Sequence, residues 1–140
     1  VLKQTIAALA FSVTLVQPLL SAERTPQAAP APAPPPQADV KPYDPQLLRL
    51  AEILGALTYL RGLCGENDAD AWHKRMQTLL AAEGTTSIRK DRLAGAFNRG
   101  VEGYSLSYRT CTVNAHMIIE RFLAEGSQIA KDVENRFGAT

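Results

Sequence analysis

The side chains best equipped for chemistry are few: two cysteines, Cys64 and Cys111, and two histidines, His73 and His116. Three chemistries fit that set. A cysteine beside a histidine can form a nucleophile pair, the imidazole taking the thiol proton. Two cysteines with two histidines have the count of a zinc site. Two cysteines in an oxidising compartment close a disulfide. Spacing separates these readings. Cys64 and His73 are nine residues apart and Cys111 and His116 five, which matches no zinc-finger interval. On an unbroken helix the Cys111 and His116 side chains would diverge by about 140°. A nucleophile pair fails on the same geometry unless a break in the helix rearranges it.

The compartment favours the third chemistry. The chain opens VLKQTIAALAFSVTLVQPLLSAE, with Lys3 ahead of an apolar run from Ile6 to Val16 and small residues at Ser21 and Ala22. That is the layout of a secretory signal peptide, and the run is well short of the roughly 20 residues that span a bilayer. Cleavage after Ala22 is expected, leaving no stable membrane span and placing the protein in the periplasm. Export makes a Cys64–Cys111 disulfide the expectation, with no metal, no cofactor and no catalytic residue assigned. Closing the loop between them contributes roughly 4 kcal/mol by chain entropy, before native strain is subtracted.

These groups must be positioned by a single small domain. From Thr25 to Pro42 the sequence holds seven prolines and only Val40 as a large aliphatic residue, a composition that cannot bury a core and favours extended conformation. Residues 23–43 are therefore expected to be a linker, after a signal peptide over residues 1–22. A helical domain over residues 44–138 follows. With 15 basic and 14 acidic side chains, the balance gives no electrostatic case for nucleic acid.

Within the domain every pattern is helical. Asp44-Pro45 is a helix start, with Asp44 as cap, and Leu47, Leu50, Leu54, Leu57 and Leu60 follow at helical spacing until Gly65. Asn67 or Asp68 caps a second helix whose stripe is Trp72, Met76, Leu79 and Leu80, ending at Gly84. From Leu93 to Phe137 apolar or small residues advance by three or four without a proline. One helix over 88–137 would be about 75 Å long, and weak helix formers cluster at its middle, so a turn near Thr110–Asn114 is expected. The fold class is all-α, a bundle of three to four helices with one disulfide.

The remaining polar residues divide into bland and interesting sets. Glu66, Asp68 and Asp70 alternate as in a calcium loop, but the glycine and the closing glutamate are missing, and helix capping explains them better. Asn98, Arg99, Arg109 and His116 are the candidate partner-binding residues, in a region punctuated by Gly95, Gly100 and Gly103. Asn98, Arg109, His116, Glu102 and Glu120 fall opposite the apolar stripe, where Asn98–Glu102 and His116–Glu120 pairs are the plain alternative. Gly100 and Gly103 would let another backbone come close.

Four words carry a resemblance: LRGLCG at 60–65, AFNRG at 96–100, YRTCT at 108–112 and RFLAEG at 121–126. The chain resembles a family of small exported alphaproteobacterial proteins of unknown function, over roughly residues 44–138. That resemblance implies export and a two-cysteine helical domain, and no reaction. The expected function is a non-enzymatic periplasmic interaction or accessory protein of the cell envelope. Its partner would be an envelope protein or an anionic envelope component. The alternatives are a small glycan-acting enzyme using Glu83, Glu102, Glu120 or Glu125 as acid, or a carrier of an apolar ligand between the helices. Paired carboxylates in a cleft would mark the enzyme; an apolar cavity of several hundred Å3 would mark the carrier.

Overall fold

The computed structural model describes residues 39–138, so the expected signal peptide and most of the expected linker lie outside the described residues. Four helices make up the described residues: α1 (Asp44–Leu63), α2 (Ala69–Glu83), α3 (Ser87–Ser107) and α4 (Val113–Phe137). The expected turn near Thr110–Asn114 is present. Tyr108 and Thr112 are both extended, and the Thr112 side chain accepts a hydrogen bond from the Ala115 N–H to cap α4. Weak helix formers won there because a threonine offers the backbone a better use as a cap than as a helix interior.

α1 is the core of the molecule. Ala51, Ile53, Ala56, Leu57 and Leu60 are almost wholly buried, because α1 packs against each of the other three helices. α2 also meets α3, while the α2 and α4 backbones do not pack on each other. Two apolar clusters result. One joins Leu47, Ala51 and Leu54 to Met76, Leu93 and Phe97. The other joins Ile53, Leu57 and Leu60 to Ala115, Ile119 and Phe122.

The α1–α3 contact is closest where two glycines meet. A Cβ at Gly55 would overlap the Phe97 carbonyl oxygen, and one at Gly100 would overlap the Glu52 carbonyl oxygen. Both obstacles are backbone, so a side chain at either position forces the helices apart. Gly100 therefore admits α1 and not an external partner, which corrects that part of the reading from sequence. Gly103 faces open space.

Neither expected acidic cap works as one. Asp44 is the first residue of α1, and its carboxylate is buried against the Arg89 guanidinium while accepting from the Lys41 N–H at 3.1 Å. Asp68 stands at the N-cap of α2 without a side-chain cap bond. Its carboxylate pairs with Arg61 at 2.7 Å and accepts from the Trp72 indole N–H at 3.1 Å. In both places an arginine outcompeted the cap N–H, since a charge-assisted bond is about twice as strong as a neutral one.

Candidate functional site

Two features of the described residues have the make-up of sites: the surroundings of the disulfide and a groove over α1.

The disulfide joins Cys64, just past the end of α1, to Cys111 in the α3–α4 connection, with a Cα–Cα distance of 4.8 Å. Its setting corrects one step of the sequence reasoning. Cys111 precedes the α4 cap at Thr112, so it is not on the same helix as His116, which lies in the first turn of α4. The helical divergence does not apply, and the Cys111 Sγ lies 3.3 Å from His116 Nε2. The pair is solvent-exposed. The two sulfurs and one imidazole nitrogen all fall within 4.8 Å of one another. While the sulfurs are bonded to each other they present no thiolate to a metal, and His73 is elsewhere, with its ring edge-on to Phe97 at 5.5 Å. Tyr59 braces the connection by donating its hydroxyl to the Tyr108 carbonyl at 2.6 Å, and Asn114 donates to the Tyr108 hydroxyl at 2.6 Å.

The candidate partner-binding residues divide between two places. Arg109 and His116 border the disulfide; Asn98 and Arg99 are in the middle of α3. All four are exposed. His116 turns to Cys111, so the expected His116–Glu120 pair does not organise this face. Three large apolar side chains that periodicity did not single out, Leu106, Val113 and Met117, are also exposed around this connection, at 74%, 79% and 62%. All three lie about 200–240° round from Leu93 in helical phase, on the side opposite the buried stripe.

The groove lies between α2 and α4, over α1. Leu50, Ile53, Leu54 and Leu57 make its floor, Trp72 and Leu79 one wall, and Phe122, Leu123 and Gly126 the other. Its volume is about 550 Å3. Arg75 and Lys131 stand on opposite rims. Arg75 stacks over the Trp72 ring at 4.8 Å. Among the described residues neither cation has an ion-pair partner. The sequence marked Trp72, Leu79 and Leu50 as apolar, but helical periodicity registers an apolar face and not whether a neighbouring helix covers it.

Two of the acids weighed as catalysts are tied up. Glu125 accepts from Arg49 at 2.7 and 3.1 Å, and these bonds hold its carboxyl below the ordinary carboxylate value, the reverse of what a general acid needs. Glu83 accepts from Arg89 at 2.9 Å and from the Tyr43 hydroxyl at 3.3 Å. Glu102 and Glu120 are exposed.

A family model described as "Protein of unknown function (DUF2385)" matches residues 42–137, and the chain belongs to that family. No curated protein and no solved structure matches it.

Proposed function

Since membership of that family brings no assigned activity, we propose on physical grounds that the domain is a non-catalytic binding protein. Its ligand site is the groove between α2 and α4. The observation that carries this reading is the apolar cavity of about 550 Å3, within the roughly 300–1,000 Å3 usual for small-molecule sites. Its floor and walls are mostly aliphatic and aromatic, and its charged side chains, Arg75, Lys131 and Glu134, carry a net positive charge at the exposed edges. That distribution fits an amphiphile with an apolar chain and an anionic head. The signal-peptide layout of residues 1–22 supports a periplasmic setting, which intact mass of the host protein tests by the loss of those residues.

Trp72 is the chain's one tryptophan and lines the groove, so its fluorescence reports occupancy. Titration with an anionic single-chain lipid below its micelle concentration should change that fluorescence saturably. Ala130→Phe, which fills the groove from an exposed position, should abolish the change with little effect on the melting temperature. A linear, unsaturable response, or saturation unaffected by Ala130→Phe, would remove the groove as the site.

A second reading keeps protein docking at Asn98, Arg99, Arg109 and His116. The exposed Leu106, Val113 and Met117 favour it, since apolar side chains mixed with arginine are the make-up of an interface core. Replacing Arg109 and Asn98 by alanine should weaken crosslinked partner capture while the melting temperature moves by less than about 1–2 °C, as for ordinary surface changes.

A further inference from the structure

We propose that the Cys64–Cys111 disulfide is a thiol–disulfide exchange site, with Cys111 the sulfur that is attacked and His116 its proton-transfer group. The redox partner is a dithiol protein. The inference is independent of the groove, which lies on another part of the molecule.

Three observations lead there. Cys111 is exposed and Cys64 half-buried, and Cys111 lies in a connection and not inside a helix, so a thiolate from solvent meets Cys111 first. The His116 Nε2 is 3.3 Å from the Cys111 Sγ and within 4.8 Å of the Cys64 Sγ. The imidazole can therefore serve Cys111 directly and Cys64 through one bridging water. Cys111 also immediately precedes the Thr112 cap of α4, where the helix dipole favours a negative sulfur. A disulfide that only braces a fold needs neither a histidine beside it nor exposure. Around this bridge Leu106, Val113 and Met117 are exposed, which gives a protein partner an apolar surface to rest on.

The chemistry balances with the dithiol as reductant. Its first thiolate attacks the Cys111 Sγ; a partner–Cys111 bond forms, the Cys64–Cys111 bond breaks, and Cys64 leaves and takes a proton from His116 through one bridging water. The partner's second thiolate then attacks its own sulfur in the mixed disulfide. Cys111 leaves as a thiolate and is protonated by His116, which has regained a proton from solvent. The partner ends as a disulfide and this chain as two thiols, two electrons having passed between them.

Reduction of the full native domain by dithiothreitol, without denaturant, tests this. Thiol release and helical circular dichroism would be followed together. The bridge should open while the helical signal persists. His116→Ala should slow opening by about a hundredfold, the low end of what a proton-transfer group contributes, at an unchanged melting temperature. Free imidazole should restore part of that rate. Three results would overturn the proposal: opening that keeps pace with global unfolding, a rate indifferent to His116→Ala, or loss of the rate in His116→Ala that imidazole does not rescue.

Discussion

α1 is fastened at both ends, and by opposite means. At its start, Asp44 is buried against Arg89, which also donates to the Glu83 carboxylate at 2.9 Å and the Glu83 carbonyl at 2.6 Å, and reaches the Asp39 carbonyl at 3.2 Å. One arginine thus ties the start of α1, the end of α2 and the start of α3. Burial works against the Arg89 charge, but its bonds to Glu83 and Asp44 outweigh that and raise its pKa above the ordinary value. At its other end α1 is held by a covalent bond that needs no charge. The difference is one of sensitivity. The ionic end fails when one member is lost, because the survivors are left charged and buried. The covalent end fails only to chemistry, and its loss acts largely on the unfolded chain.

Arg89→Ala should therefore be the most damaging single change, lowering stability by about 3–5 kcal/mol, a large part of the 5–15 kcal/mol expected for such a domain. Urea unfolding would measure it. Replacing Asp44, Glu83 and Arg89 together by apolar residues of similar size should recover most of the loss. If the triple variant is as unstable as the single one, specific geometry and not stranded charge governs that end. The double change Cys64→Ala with Cys111→Ala should cost somewhat less, up to about 4 kcal/mol for this loop. The two ends are roughly 30 Å apart along α1, so combining the lesions should give additive losses.

Between the ends, Gly100→Ala probes the close α1–α3 contact. Overpacking there should cost about 1–3 kcal/mol, although alanine is the better helix former by about 1 kcal/mol. A stabilised variant would show that the helices can separate freely. The smallest effect belongs to Arg49–Glu125. Glu125 is depressed below its ordinary value of 4.5 by its bonds to Arg49. Its contribution is complete above that value and disappears as pH falls through the lower folded one. Arg49→Met should flatten this part of the acid limb and lower neutral-pH stability by at most about 1 kcal/mol. Unfolding curves from pH 7 downward would show it.

Much of this was legible in the residues themselves. The helical periods, the break at Thr110–Asn114 and the pairing of Cys64 with Cys111 follow from local pattern and cysteine count. All four words carrying the family resemblance have structural duties: LRGLCG and YRTCT hold the bridge and its cap, while AFNRG places Gly100 against α1. RFLAEG contributes Phe122 to the core and Glu125 to Arg49. What escaped was long-range. Arg89 sits among charged neighbours in a solvent-like stretch, IRKDR, and nothing local marks it as buried. The approach of His116 to Cys111 depended on where the helix broke to within a residue. The groove depended on two helices failing to meet.

That last feature has a thermodynamic signature. Because the α2 and α4 backbones touch α1 and not each other, the empty protein has little through which a change on one could be felt on the other. Paired substitutions such as Leu79→Ala and Leu123→Ala should show almost no interaction energy in a double-mutant cycle. A molecule lying between the two walls would bridge them, and the same cycle repeated in its presence should acquire a non-zero term. Coupling between two helices would thus count occupancy without any signal from the ligand itself.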